Sequence, residues 1–266
     1  MNDIVSFVHL SDTHIGPTKE YGRHGKISYP AAERAIEVVN NLPVKPDFVI
    51  HTGDVTTDPT PEAYALVADL FSRIEVPIYY VVGNHDTAVF IRNTLLMGPK
   101  TDLLEDELSY AFAVKGHRFV VLDARAPDDM DPNGLLSDAQ LDVVRQEVNS
   151  GDAPLTFFVH FPILPMNSPW MDENMLVLNG GEFHEILRPA RERIKGVFHG
   201  HIHQSLQITK DGICYTAVPS TFSQFTAWPT DVTTGYDPDY LPSYNFVQYL
   251  PDGQTIVHQH TFPLNL

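Results

Sequence analysis

Aspartate, asparagine and histidine collect at the ends of apolar runs in this sequence. Asp12 and His14 follow Ile4–Leu10, Asp54 follows Asp47–Thr52, and Asn84 and His85 close the run from Pro77 to Val82. His160 ends Leu155–His160, and His201 and His203 come just after Gly196–His199. Imidazole nitrogen with carboxylate or amide oxygen is the ligand chemistry of borderline divalent ions. Two ions acting together on a phosphoester also need an oxygen ligand shared between them. In open α/β sheets ligands sit in the crevice beyond the carboxyl ends of the strands, so five such ends can converge on one centre. The spacing of two between Asp12 and His14 puts both on one side if the backbone stays extended, and His201 and His203 repeat it.

These residues need parallel strands to carry them, and strand and helix signals alternate through the first half. Ile4–Leu10 reads as a strand, and Ala32, Ala35, Ile36 and Val39 form a helical stripe after Pro30, a residue suited to a first turn. Ala63, Leu66, Val67, Leu70, Phe71 and Ile74 recur at helical spacing behind Thr60 as cap and Pro61. With strands at Asp47–Thr52 and Pro77–Val82, the natural reading is βαβαβ with parallel strands. Ser109–Val114 and Arg118–Asp123 flank Lys115-Gly116-His117 as a hairpin, and Ser137 caps a helix carrying Leu141, Val144 and Val148. A further helix is predicted from about Glu182 to Arg193. The end reads antiparallel: Leu206–Thr209, Ile213–Val218, Tyr244–Leu250 and Thr255–Thr261, turning at Asp211-Gly212 and Asp252-Gly253.

The ordered set Asp-x-His, Gly-Asp, Gly-Asn-His-Asp, His and Gly-His-x-His resembles the calcineurin-like metallophosphoesterases. Its spacing is most similar to the class III cyclic-nucleotide phosphodiesterase and glycerophosphodiesterase branch. The resemblance covers every metal motif from Asp12 to His203. It implies an α/β fold, a four-layer αββα sandwich with two mixed β-sheets flanked by helices. It implies one ion held by Asp12, His14, Asp54 and His203 and another by Asp54, Asn84, His160 and His201, with Asp54 bridging. The ions would be divalent Mn, Fe or Zn, with mixed Fe/Mn or Fe/Zn pairs admitted.

In that reading a hydroxide between the ions attacks phosphorus in line. Asn84 and His85 contact the phosphoryl oxygens, and His85 is the candidate acid or electrostatic stabiliser for the leaving alkoxide. Departures from the relatives are local. Where the serine/threonine phosphatases carry a second Asp and purple acid phosphatases a Tyr, this chain has Thr57, with Asp58 next to it, so the carboxylate partner of His85 is open. Phe161 stands where many relatives have a second His, and packing is its expected role. Asp86 is expected to support the loop locally.

The expected activity is hydrolysis of small phosphodiesters: cyclic nucleotides, glycerophosphodiesters or related esters. A phosphomonoesterase or phosphonate-ester hydrolase with the same centre is the alternative, and a non-catalytic metal-binding scaffold is the reading from a different class. Scaffolds of this kind generally lose ligands or the catalytic His, and here both are kept.

At 266 residues and 43% hydrophobic the chain can bury one sizeable core, so a single domain spanning 1–266 is expected, with antiparallel strands and a rim loop from about 205 to 266. A formal charge of −17 argues against general nucleic-acid or anionic-membrane binding. It leaves room for a small anionic phosphoester, because bound cations set the local potential. Cys214 is the only cysteine, and the amino-terminal run is interrupted by Ser6 and His9, so no signal or spanning segment is expected and a cytoplasmic protein is. Relatives often form dimers or larger assemblies, which admits a homo-oligomer.

Three stretches read as rim loops rather than scaffold: 16–29, 163–180 and 220–241. His24, next to Arg23 in the first, is a candidate substrate contact. Trp170, Met171, Phe222, Phe225 and Trp228 are candidates for an apolar wall over the site, a subunit contact or plain loop packing. Among the other histidines, His9, His51 and His199 are expected to be hydrogen-bonded inside the strands. His117, His184, His258 and His260 are expected in surface or packing roles.

Overall fold

A computed structural model describes residues 4–264. Two mixed sheets lie face to face. The first has five strands in the order Thr255–Thr261, Ser243–Tyr249, Val5–Leu10, Phe48–His51, Ile78–Tyr80, of which the last three run parallel. The second has seven: Gln207–Lys210, Ile213–Ala217, Ile194–His199, Leu155–Phe158, His117–Val121, Tyr110–Val114 and Thr101–Asp102. Its four central strands, from Ile213–Ala217 to His117–Val121, are parallel.

The two-residue period of a strand sorts side chains between layers. Phe119, Val121, Phe158 and Phe198 enter the core between the sheets, while Val120, Leu122, Phe157 and Val197 face the outer layer with Leu141, Val144, Phe183 and Leu187. Phe7 sits at the centre, its ring 4.9 Å from Phe48 and 5.4 Å from Phe198 of the opposite sheet. Truncating a ring so enclosed costs about 3–5 kcal/mol. Helices Tyr29–Asn40 and Pro61–Phe71 pack into the first core; Asp138–Asn149 and Gly180–Leu187 cover the outer side of the second sheet. The architecture is the expected αββα sandwich.

Local signals act as their chemistry requires. Thr60 Oγ1 accepts from Ala63 N at 3.2 Å, and Ser137 and Gln140 form a reciprocal capping box. Lys115 and Gly116 both have positive φ, 48° and 81°, which gives the tight hairpin a two-residue turn, one shorter than predicted. Pro189 ends the helix from Gly180 at Leu187, and Arg188–Ala190 continues only as a 3-10 turn.

Two expectations change. The carboxyl-terminal hairpins join different sheets, and Ile213–Ala217 is antiparallel to Gln207–Lys210 but parallel to Ile194–His199. A helix at Ala88–Thr94, capped by Thr87, went unread because seven residues hold too short a period to register. The stretches 16–29 and 163–180 also contain small elements: a ribbon of Gly22–Arg23 with Lys26–Ile27, and a helix at Pro169–Asn174. Among the described residues no helix is long and apolar enough to cross a membrane.

Candidate metal centre

The strands Val5–Leu10 and Phe48–His51 are parallel neighbours, and their continuations stay stitched together as irregular chain. Asp12 N donates to Gly53 O, His14 N to Asp54 O and Ile15 N to Val55 O, each at 3.0 Å. The backbone there is not extended, as the spacing argument supposed. Asp12 (φ 55°), His14 (45°), Asp54 (55°), His201 (69°) and His203 (49°) all take the left-handed conformation. Such residues cost of order 1–3 kcal/mol each and persist where surrounding bonds over-determine them. Here two left-handed residues separated by one turn both side chains to one place, the result that alternation in a strand was expected to give.

The donors meet in two groups, Asp12 with His14 and His203, and Asp54 with His160 and His201, the ligand atoms of each lying within 4.8 Å of one another. A third grouping joins His14, Asp54 and His85. Asp54 Oδ2 lies between the groups, 3.5 Å from His14 Nε2 and 3.4 Å from His160 Nε2. Asn84 Oδ1 is 3.3 Å from His160 Nε2, and Asp12 Oδ1 is 3.3 Å from His203 Nε2. Thus Asp12, His14, Asp54, Asn84, His160, His201 and His203 converge, drawn from five strand ends.

Each side chain is aimed from behind. His160 Nδ1 donates to Thr52 O at 2.6 Å and His203 Nδ1 to Ser223 O at 2.9 Å, which turns both Nε2 atoms toward the centre. His201 N donates to Asp12 Oδ2 at 3.1 Å and His85 N to Asp54 Oδ1 at 2.9 Å, so each carboxylate spends one oxygen on the backbone and presents the other. Asp12 Oδ1 and His201 Nε2 are buried without a hydrogen-bond partner. A buried, unpartnered acceptor is costly unless a cation completes it. Glycine makes room: a Cβ on Gly83 would overlap the Asp54 carboxylate, and one on Gly200 would overlap Ser11 Oγ.

The electrostatics agree with that fit. Burial alone would raise Asp54, but the His160 and His85 rings hold it well below the usual carboxylate range. Burial opposes charge on His160, yet Asp54 and Asp12 raise it to about 9. Burial keeps His14 well below its ordinary value and takes His201 to about 3, so both offer lone pairs. Anionic oxygens beside the neutral imidazoles of His14 and His201 suit divalent transition ions, and a cation there would replace the proton that the carboxylates draw onto His160.

His85 Nδ1 donates to the Thr57 carbonyl at 2.7 Å, which answers the open question of its partner. Asp58 does not fill that role; its Oδ2 lies 3.5 Å from Tyr21 OH. Asp86 is buried and accepts from Gly83 N, Val55 N, Thr56 N and Tyr64 OH, tying the loop of His85 to the loop of Asp54. Phe161 packs its ring 4.9 Å from His160 and 4.8 Å from His201.

A cavity of about 270 Å³ opens over the centre, lined by His14, Asp54, Asn84, His85, His201 and His203 at one end. Trp170, Phe222 and Phe225 supply part of the expected apolar wall. Met171 is buried beneath it and Trp228 is exposed. His24 lines the cavity, its Nε2 3.0 Å from both Arg23 Nε and Tyr236 OH. Arg23 and Tyr236 also line it and were not singled out in the sequence; one unpaired cation in a rim loop was the available signal for Arg23, and Tyr236 carried none. His9, His51 and His199 are buried and hydrogen-bonded. His184, though buried, bonds Tyr215 OH at 2.7 Å and Asp211 Oδ2 at 2.9 Å, away from the centre.

The sequence pattern of the family described as calcineurin-like phosphoesterase matches residues 5–205. A 3',5'-cyclic-nucleotide phosphodiesterase of Nostoc sp. is 24% identical over 263 residues, 98% of this chain and 94% of that one. A 3',5'-cyclic adenosine monophosphate phosphodiesterase of Pseudomonas aeruginosa is 29% identical over 253 residues, 94% of this chain and 87% of that one. Among solved structures, a dimetal phosphatase of Danio rerio superposes with a TM-score of 0.69 at 16% identity, covering 95% of this chain and 98% of that one, a likeness of fold.

Proposed function

The chain belongs to the calcineurin-like phosphoesterase family and is a metal-dependent phosphoester hydrolase, and on that premise we propose that it cleaves small phosphodiesters, cyclic nucleotides and glycerophosphodiesters among them. The observation that carries the reading is the position of Asp54 Oδ2 between His14 Nε2 and His160 Nε2, where one oxygen can serve two ions. We assign one ion to Asp12, His14, Asp54 and His203 and the other to Asp54, Asn84, His160 and His201. Bound divalent ions supply a nucleophile at neutral pH and offset charge on the phosphoryl oxygens.

The chain's own groups do the rest. Asn84 and His85 flank the bridging carboxylate and meet the phosphoryl group. The Thr57 carbonyl holds the Nδ1 proton of His85, so Nε2 is the atom left to exchange a proton with the leaving oxygen. Trp170, Phe222 and Phe225 give the ester's organic portion an apolar surface. The relatives' names support cyclic nucleotides as one substrate class. A cytoplasmic location is part of the proposal, supported by the lone Cys214. A homo-oligomer is another part, supported by Trp228 and Val232 exposed on the rim.

The test compares bis-(p-nitrophenyl) phosphate, p-nitrophenyl phosphate, cyclic AMP and glycerophosphodiesters with Mn(II) or Fe(II) supplied, alongside metal analysis. Faster cleavage of the diesters is expected. Preference for the monoester would favour the phosphomonoesterase reading, and no cleavage of any ester would favour a metal-binding scaffold.

A further inference from the structure

Arg23 stands apart from the other arginines. Nine of the ten arginines meet a carboxylate or a backbone carbonyl, and among the described residues Arg23 meets neither. Its Nε donates to His24 Nε2 at 3.0 Å. Its Nη1 makes only long contacts, 3.5 Å to each ring nitrogen of His85, whose Nδ1 already donates to Thr57 O. Nη2 has no acceptor among the described residues and Nη1 only the long His85 contact, and Arg23 lines the cavity shared with Asp54, Asn84 and His85. Asp131 lines the same cavity and is not paired with it. In a chain of charge −17 an arginine without an anion is an exception that asks for one from outside.

The guanidinium is also braced. His24 Nε2 lies 3.0 Å from Tyr236 OH, and the two rings stack at 4.2 Å. Burial and the neighbouring Arg23 lower His24, which keeps the ring a neutral acceptor. The ribbon turns at His24 and Gly25, whose φ values are 51° and 75°. Its second strand is pinned to the same rim, because Lys26 Nζ donates to Pro238 O at 3.2 Å and sits 3.9 Å from the centre of the Tyr240 ring. The ribbon's turn and its second strand are thus tied to the 236–240 segment, and Arg23 projects from a held support.

We propose that Arg23 is a substrate-binding residue that takes a phosphoryl oxygen of the ester, with His24 and Tyr236 as positioning residues. The assignment rests on the phosphoester reading of the centre. A planar fork matches the oxygens of a phosphoryl group, and an anion held by Arg23 lies within reach of His85. A phosphoryl oxygen would give Nη2 an acceptor and Nη1 a stronger one than the His85 ring.

Inorganic phosphate is the probe, titrated calorimetrically into Mn(II)-loaded protein with metal content measured in parallel. Arg23→Ala should weaken phosphate by about 10- to 100-fold, the range of a charge-assisted hydrogen bond, while metal content stays at the wild-type level. Arg23→Lys should recover part of the loss, since it restores the charge without the fork. Tyr236→Phe removes only the hydroxyl and should weaken phosphate by about 2- to 5-fold. Affinity in Arg23→Ala within about twofold of wild type overturns the proposal. So does joint loss of metal and phosphate, because Arg23 would then support the centre and not the ligand. The readout is binding, so a wild type that holds phosphate but cleaves no ester rejects the hydrolase reading while the Arg23 comparison still decides this one.

Discussion

The Thr13 hydroxyl lies 3.1 Å from His51 Nε2, and a reciprocal contact, His9 Nε2 to Thr52 Oγ1 at 2.9 Å, crosses between the same two strands. Each hydroxyl also donates to a carbonyl of the neighbouring strand, Thr13 to Val55 O and Thr52 to Leu10 O. Its lone pairs therefore face an imidazole N–H, and both rings are held as neutral donors. Thr13 stands between Asp12 and His14, and the Thr52 carbonyl orients His160. Two buried histidines outside the ligand groups thus fix the backbone from which Asp12 and His14 project and the carbonyl that orients His160.

Thr13→Val keeps the shape and deletes the hydroxyl, leaving the His51 N–H unpaired inside the core. The Val55 carbonyl keeps its bond from Ile15 N, so the orphaned group is the His51 N–H, and a stability loss of about 1–3 kcal/mol is expected in urea unfolding. Metal affinity should fall as well, because the left-handed turn at Asp12 and His14 loses a restraint. An unchanged midpoint would show that the hydroxyl network does not hold this loop.

Burial lowers His51 to about 3 and His9 well below its ordinary value. An unfolded histidine titrates near 6.5, so as pH falls below that point the unfolded chain takes up protons that the native state refuses. The contribution of His51 to stability is complete above about pH 6.5 and is lost progressively down to about pH 3. With metal chelated in both proteins, wild type should lose about 2 kcal/mol more than His51→Gln between about pH 7.5 and about pH 5. Parallel stability curves for the two would contradict a neutral, buried His51.

Much of this was legible because the informative signals are local. Thr60-Pro61, Ser137 with Gln140 and Lys115-Gly116 act within a few residues, and each appears where its own chemistry places it. The convergence of Asp12, Asp54, Asn84, His160 and His201 followed from parallel strands ending on one side. What stayed hidden depends on tertiary contact. The left-handed backbone at Asp12 and His203 is imposed by bonds to distant loops, and Thr57 serves His85 through its carbonyl, a group every residue carries. The partner of His24 lies 212 positions away at Tyr236, and no spacing rule links them. The allocation of the last two hairpins to different sheets is likewise a packing decision that strand patterns do not encode.

His85 borders both Asp54 and the cavity without being assigned to either ion. Its backbone N–H serves Asp54, which a substitution of the side chain leaves in place. His85→Ala should therefore retain metal while turnover falls by roughly 100- to 10,000-fold, the worth of a positioned acid or base. A variant that keeps wild-type kcat on a diester with an alkoxide leaving group would reject the role. Loss of metal on analysis would instead make His85 a ligand, in keeping with its place beside His14 and Asp54.

Gly83 precedes Asn84, and its α-carbon lies so close to Asp54 that an added Cβ would overlap both the carboxylate and the backbone nitrogen of that residue. The obstacle is not the flexible end of a long chain. Asp54 Oδ1 is fixed by His85 N, and Asp54 O by His14 N, so neither the side chain nor the backbone can yield without moving another candidate ligand. Gly83 N is itself held by Asp86 Oδ2 at 3.1 Å, which keeps the strand end from backing away. Gly83→Ala should fold, since the core on either side is untouched, but with the shared oxygen displaced. Metal content should drop for both positions together, with diester turnover reduced by at least about 100-fold, because positioning at this scale governs rate. Gly181→Ala, whose added Cβ meets nothing within 4 Å at an ordinary φ, serves as the control for adding a methyl group elsewhere. If Gly83→Ala binds two ions with wild-type affinity, Asp54 has room to move, and its placement as the bridging ligand is wrong.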